Sequence, residues 1–538
     1  MYKLELTQLE WSSPLRRNDK GMNLAPIPNE IYAEILDLLH PEGDGTLSEP
    51  LEALASLSLS CRYLCFLALP RLYSSMKMAG PSNTRKRGPE YSKFYTAVTQ
   101  NSGDGRALAQ YVRSAHLLDY SDSMGKPAHR ALSATLYLPA IGFMENLARV
   151  TITNAEVARP FFQALAGLKR LESLKLIQFL IYGSCKEDFS ILSSLRLSSL
   201  ELSPIPFIAQ VTLIETMPEE YGLLALAFDY ACLAKLSTAI RGSIQKLETC
   251  SKQLPLHTLE IASSDFRLTR SSVQCLQGLR RLVFTTGAQE ALKGVQLEPS
   301  DLPNLTEVVC TPPQLDVLAR GRRLTDITLH WEWVNSPRIP TLFKTLSESV
   351  AASLKHLKMP AEWLISSSLL PSDPLPNLEH LTLCESGNAL EERESVSYPL
   401  CSLVLLKLLT RGTMYINQIL RSVGAVVPWL PRVRSIRVVY ELCPSNPRLA
   451  NINLKAQYGN LSGIPEPFSN YLTVVQLGRI LWSKRGAPER RWEVEFEASL
   501  RDTLREQLKG KLHRTLMTFP DDHADYLSTL VHSFTYPT

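Results

Sequence analysis

From residue 147 onward one short pattern keeps returning: an apolar residue, two variable ones, a second apolar residue, one variable, a third apolar. It reads Leu147-Ala148-Arg149-Val150-Thr151-Ile152, then Leu171 to Leu176, Leu197 to Leu202, Leu256 to Ile261, Leu279 to Phe284 and Leu305 to Cys310. Further copies run Leu324 to Leu329, Leu354 to Met359, Leu378 to Leu383, Leu403 to Leu408 and Val433 to Val438, and a degenerate one, Leu223 to Phe228, fills the widest gap. The eleven intervals between positions 147 and 433 cover 286 residues, a mean of 26. A unit that short cannot enclose its own apolar face, so such units are stable only when stacked on one another. Intervals between 19 and 33 residues imply returns of variable length between the copies. Tyr111 to Leu117 reads as an opening repeat or cap.

The period lies within that of leucine-rich repeats, roughly 20–29 residues, each a short strand followed by a helix or loop. Side chains alternate along a strand, so the last two apolar residues of a copy face the core and the residue between them faces the open, concave side. Lys175, Glu201, Glu260, Thr328, Lys358, Thr382, Lys407 and Arg437 occupy that place and are the candidate target-binding residues, with Thr151, Val283 and Val309 in the same row. The strip is mixed in polarity and becomes modestly basic toward the C-terminal half. It suits a protein segment with several acidic groups, or stands as an ordinary solvated face. His330, Trp331 and Trp333 follow one strand on its loop, where packing between repeats competes with a role as an interface anchor. The acidic stretch 385–394 and the Pro/Gly-containing stretch 443–468 exceed ordinary connection lengths. Arg491 to Phe496 alternates like a closing strand, and Leu500, Leu504, Leu508 and Leu512 predict an amphipathic capping helix over 497–517, followed by a short one from Pro520 to Leu530.

Composition narrows the function classes. Lys+Arg 57 against Asp+Glu 53 leaves +4 over 538 residues, too little field for a charge-driven nucleic-acid or anionic-lipid binder. With 45% hydrophobic residues the chain builds a large core, yet the longest apolar run, Leu223 to Leu233, is interrupted by Asp229 and Tyr230 and falls short of a membrane span. The charged N-terminal stretch has no export signal, which predicts a cytoplasmic or nuclear location. Ten cysteines show no CxxC pair and no zinc spacing; Cys61 and Cys65, four apart on one helix, read as small buried hydrophobes rather than metal ligands. Asn304 and Asn460 begin glycosylation sequons that, without export, have no route to modification. There is no GxGxxG, P-loop, HExxH, GxSxG or EF-hand signature, so neither catalytic residues nor a cofactor is expected.

The N-terminal block has different patterning. After Ile27-Pro28-Asn29-Glu30, the residues Ile31, Ile35, Leu38 and Leu39 fall at i, i+4, i+7 and i+8 and predict one apolar helical stripe. His40 to Gly45 stops the helix. Leu51, Leu54, Leu57, Ser58, Cys61, Leu64 and Cys65 predict a second, and Leu67 to Leu72 a third. Three short helices in about 50 residues make a core so small that a docked partner commonly completes it. Pro81 to Pro89, with Arg85-Lys86-Arg87, reads as a solvated linker.

Three strings in this block, Pro28-Asn29-Glu30-Ile31 with Ile35-Leu36, then Leu57-Ser58-Leu59-Ser60-Cys61-Arg62-Tyr63-Leu64, then Ala68-Leu69-Pro70-Arg71-Leu72-Tyr73, together resemble the F-box of fungal F-box proteins with C-terminal leucine-rich repeats. The resemblance covers about a tenth of the chain. Ile27 stands where the family usually has Leu, and the loop Pro41 to Pro50 is longer and more acidic than in the shortest members. The resemblance implies docking on a Skp adaptor, and through it a cullin, with Pro28, Ile31, Ile35, Leu36, Leu54, Leu59 and Leu64 as contacts. Each apolar one of these is equally suited to the domain's own core. The expected fold is α/β: an extension over 1–23, a three-helix F-box over 24–78, a linker over 79–105, an irregular solenoid over 106–496 and a helical cap over 497–538. The expected role is the substrate receptor of an SCF-type ubiquitin ligase, which brings target lysines close without doing chemistry itself. A repeat scaffold without ubiquitylation is the alternative, and a small-molecule sensor a third.

Overall fold

The structure, a computed structural model, describes residues 16–17, 23–24, 27–39, 48–79, 90–100, 104–118, 138–157, 159–181, 189–204, 219–250, 252–262, 267–285, 288–330, 339–361, 363, 374–385, 429–440, 458–459, 461–464, 471–477, 480–484 and 492–496. The chain divides into two compact units, Met1–Gly278 and Leu279–Thr538.

The first unit opens on a two-residue antiparallel bridge, β1 (Arg16–Arg17) with β2 (Asn23–Leu24). Three helices follow: α1 (Asn29–Leu38), α2 (Ser48–Ser60) and α3 (Arg62–Leu72). The boundary between α2 and α3 is Cys61, whose extended backbone ends one helix while its Sγ accepts from Leu64 N at 3.4 Å and starts the next. Leu67 to Leu72 is therefore the end of α3 rather than a third segment of its own. Leu36, Leu54 and Ala68 form the core of the three helices, with Leu39, Leu57, Leu67 and Leu72 packed on it. Arg71 ties α3 to α1: its guanidinium donates to Asp37 Oδ1 at 2.7 Å and to Ala33 O at 3.4 Å.

Seven parallel strands, each paired with the next in chain order, complete the unit: β3 (Ser75–Ala79), β4 (Ser114–Leu118), β5 (Arg149–Val157), β6 (Ser173–Ile181), β7 (Ser199–Pro204), β8 (Lys235–Thr238) and β9 (Thr258–Ile261). The sheet thus begins inside the block assigned to the helical domain, at Ser75. The expected linker over 79–105 holds a helix, Glu90–Thr99, seated by Phe94 stacked on Tyr73 at 5.6 Å and by fully buried Val98. Pro81 to Pro89 lies outside the described residues.

The second unit continues the same construction with β10 (Arg281–Phe284), β11 (Glu307–Cys310), β12 (Asp326–Leu329), β13 (His356–Pro360), β14 (His380–Glu385), β15 (Ser435–Tyr440) and β16 (Val474–Leu477), all parallel in chain order. Two antiparallel strands close it, β17 (Ile480–Lys484) and β18 (Trp492–Phe496).

A recurring backbone device marks the repeat. One carbonyl at the end of each return accepts two successive amides from the next repeat: Ala148 O from Glu172 N and Ser173 N, Glu172 O from Ser198 N and Ser199 N, Ser198 O from Ala234 N and Lys235 N. In the second unit Thr306, Thr325, Lys355, Glu379 and Arg434 do the same. The first apolar residue of each described copy is buried just before its strand, and the two apolar strand residues lie under the sheet, as with Leu171, Leu174 and Leu176. Within each unit this is the strand-and-return stack of a leucine-rich-repeat solenoid.

One expected strand is corrected. Leu223 to Phe228 belongs to a helix, Glu219–Ala227, and the turn that follows it. Its buried residues, Tyr221, Leu224, Ala225 and Phe228, fall at i, i+3, i+4 and i+7, the helical spacing. The true copy lies ten residues on, at Leu233-Ala234-Lys235-Leu236-Ser237-Thr238, where Thr238 takes the third apolar place and is satisfied inside by Ser243 Oγ at 2.9 Å and Ile240 N at 3.0 Å.

Two returns show what holds such turns together. Gly242 sits against Gly222, where a Cβ would come within 2.5 Å of the Gly222 carbonyl oxygen, so the helices Glu219–Ala227 and Arg241–Thr249 meet through bare backbone. In the second unit the buried Arg322 guanidinium donates to the carbonyls of Asp301 at 2.9 Å, Leu318 at 3.0 Å and Glu298 at 2.6 Å, replacing water for three turns at once.

Candidate interaction surfaces

The helices of the first unit divide their apolar residues between two faces. On α1, Leu36 is 1% exposed and points into the core with Leu39 behind it. Ile31, Ile35 and Leu38, at i, i+4 and i+7, point outward with exposures of 42%, 47% and 87%. The single stripe read from the sequence is thus two, one inward and one open to solvent. Leu59 on α2 is 87% exposed and Phe66 on α3 is 42% exposed.

Of the expected adaptor contacts, Pro28, Ile31, Ile35 and Leu59 are exposed and Leu64 is half-buried. Leu36 and Leu54 are corrected to core: both are fully enclosed by neighbouring helices and offer nothing to a partner. Phe66 and Leu38 are exposed apolar residues outside that set, and the signal for Leu38 was its place on the Ile31/Ile35 stripe. The opening of the module is fixed by Tyr63, whose hydroxyl donates to Asn29 Oδ1 at 2.5 Å and whose ring meets Tyr32 edge-on at 5.3 Å. Burial, with Tyr32 and Glu30 beside it, raises the Tyr63 phenol further above physiological pH, so it stays a donor.

On the strand face of the first unit the register places Lys77, His116, Thr151, Lys175, Glu201, Ser237 and Glu260 in one row. Lys175 and Glu201 are joined at 3.1 Å and neutralise each other, and His116 Nε2 is bonded to Thr153 Oγ1 at 3.0 Å.

In the second unit the corresponding row is Val283, Val309, Thr328, Lys358, Thr382, Arg437 and Gln476. Val283 and Val309 are corrected to buried positions, 8% exposed each, despite their place in the row. Thr328, Lys358, Thr382 and Arg437 lie at the surface or half-buried as their pattern predicts. Thr382 pairs directly with Arg437 across β14 and β15, and Lys407 lies outside the described residues. So do Trp331, Trp333, residues 386–394 of the acidic stretch and the capping helix over 497–517, whereas His330 is half-buried beside β12.

A second row runs beside the first: Arg281, Glu307, Asp326, His356, His380 and Ser435. It is knitted together side to side. Arg281 pairs with Glu307 at 2.6 Å, and Asp326 with His356 Nδ1 at 2.5 Å. The His356 and His380 rings stack at 4.7 Å, and His380 Nδ1 meets Ser435 Oγ at 2.7 Å. Burial lowers the His380 pKa, and the neighbouring His356, Arg437 and Arg434 push the same way against Glu379.

Among the described residues no group of three or more His, Cys, Asp or Glu is placed to hold a metal ion, and no helix is long and apolar enough to cross a membrane. No protein-family model matches the chain, and no curated protein does. Among solved structures it is similar to the crystal structure of a TLR13–ssRNA13 complex, at 14% identity and a TM-score of 0.24, over 59% of this chain. The match spans 51% of that chain, about half its length.

Proposed function

We propose that the chain is a non-catalytic substrate receptor: its N-terminal helices dock a Skp-type adaptor of a cullin-RING ubiquitin ligase, and its strand face holds a protein target. The observation that carries this reading is the solvent-open stripe of Ile31, Ile35 and Leu38, which α1 keeps while Leu36 and Leu39 build the core. A three-helix module of this size leaves such a stripe uncovered at a cost of about 25 cal/mol for each Å² of apolar surface, a cost a docked partner recovers. Pro28 and Leu59 are open on the same module, and the residues that resemble the F-box include four of these exposed positions.

In this reading chemistry belongs to the partner enzymes, and the chain contributes proximity by raising the local concentration of target lysines near the charged ubiquitin. Co-purification of the intact protein with adaptor and cullin, beside a variant carrying Pro28→Ala and Ile31→Ala, tests it. The wild type should recover both partners and the variant neither, while remaining folded. Recovery of adaptor without cullin would favour the repeat-scaffold alternative, and recovery of neither would end the receptor reading.

A further inference from the structure

We infer that the strand face of the second unit, centred on β13 to β15, is a binding site for an acidic peptide segment, with Lys358 and Arg437 as the groups that take its carboxylates. The inference rests on the strand face being the target-binding surface in the reading above, and on nothing in the helical module.

The three strands present a grid fixed by their register: His356, His380 and Ser435; then Lys358, Thr382 and Arg437; then Pro360, Cys384 and Val439. In the first row the polar groups already have partners. His356 holds Asp326, and His380 holds the Ser435 hydroxyl. Glu379, at the edge of β14, is 3.8 Å from Arg434, and Glu307 is taken by Arg281. Among the described residues Asp326, Glu379 and Glu307 thus each have a partner other than Lys358 or Arg437. Lys358 and Arg437 are both exposed, and among the described residues neither has a carboxylate within ion-pair distance.

The charges sit two strands apart, about 10 Å at the usual strand spacing, with Thr382 on the strand between them. An extended segment laid across the strands repeats same-side residues about every 6.6–6.8 Å, so acidic residues two or four apart bring their flexible carboxylates to both cations. The exposed Val439, 38% open, adjoins Arg437 two residues along β15 and gives an apolar neighbour a place to rest. In the first unit the central cation of the row, Lys175, is by contrast already joined to Glu201.

The test is fluorescence polarisation of a fluorescein-labelled peptide of alternating Glu and Ala against the full chain, with a Lys/Ala peptide and a single-stranded oligouridine as comparison probes. Binding of the Glu/Ala peptide should fall tenfold or more in Lys358→Glu/Arg437→Glu and weaken with added salt. It should be unchanged in Lys169→Glu/Lys252→Glu, which makes the same change of net charge at exposed sites of the first unit. Retained wild-type melting temperature in both variants confirms that the comparison is between folded proteins. Absence of peptide binding by the wild type, equal loss in both variants, equal binding of the Lys/Ala peptide, or tighter binding of the oligonucleotide would each overturn the inference. Adaptor co-purification is read separately, because neither substitution pair touches α1 to α3.

Discussion

The division of the N-terminal leucines into core and open residues is testable with two substitutions of identical chemistry. Leu54 is 0% exposed in the three-helix core and Leu59, five residues along the same helix, is 87% exposed. Leu54→Ala removes three carbons from an enclosed site and should cost about 2–5 kcal/mol, the spread reflecting how far Leu36 and Ala68 collapse into the space. Leu59 has roughly an eighth of its surface covered, so the same change should cost about 0.3 kcal/mol, an eighth of the value for a fully buried leucine. Native-state hydrogen exchange of the α3 amides reads this locally, without requiring the whole chain to unfold as one unit. At about 3 kcal/mol, Leu54→Ala speeds exchange by a hundredfold or more, since each 1.4 kcal/mol is tenfold. Leu59→Ala should leave it within about twofold. Equal acceleration by the two substitutions would refute the assignment of faces, and with it the claim that the module keeps its outward residues for a partner.

Three further outcomes follow from the packing. Arg322→Met removes the donor to two buried carbonyls and one half-buried carbonyl and should lower stability by about 2–3 kcal/mol in urea unfolding, and Arg322→Lys should recover little because one ammonium cannot reproduce the fork across Glu298, Asp301 and Leu318. Gly242→Ala drives a methyl into the Gly222 backbone and should destabilise by about 1–3 kcal/mol in the same assay, whereas Gly142→Ala, whose Cβ meets nothing, should not. His380 is held below the usual imidazole value of about 6.5, so its contribution to stability is present above that pH and is lost as pH falls through the lowered folded value. Urea midpoints of wild type and His380→Gln should therefore converge or cross as the buffer is taken from neutral toward pH 5, and parallel curves would show that the ring does not titrate differently in the folded state.

The strand ladder was legible because its signal is periodic and doubly specified: a buried leucine before each strand and two more within it, at a spacing only a stacked repeat tolerates. Where a copy departed from that signal the sequence misled. Leu223 to Phe228 matches the pattern by letter, yet its apolar residues have helical spacing. The true copy ending in Thr238 hides a polar residue that Ser243 satisfies. Leu472-Thr473-Val474-Val475-Gln476-Leu477 is a full copy whose strand went unassigned, between the stretch 443–468 and the closing strand. Ser75–Ala79, with alternating Met76 and Met78, was absorbed into the helical block.

The surfaces were legible only in part. Alternation placed Lys358, Thr382 and Arg437 correctly in one row, because strand geometry alone decides which way they point. It could not show that Glu201, on a neighbouring strand, neutralises Lys175, nor that Val283 and Val309 are covered. On α1, separating Leu36 from Ile35 depends on where α2 and α3 pack, which no pattern internal to one helix contains.

The receptor reading is met most directly by calorimetric titration of the purified full chain with purified Skp adaptor, beside an Ile31→Asp/Ile35→Asp variant. One-to-one binding with a negative heat-capacity change in the wild type, abolished in a variant that keeps the wild-type melting temperature, is the predicted result. A wild-type protein that gives no binding heat at any temperature tried and does not co-elute with the adaptor on a sizing column would contradict it.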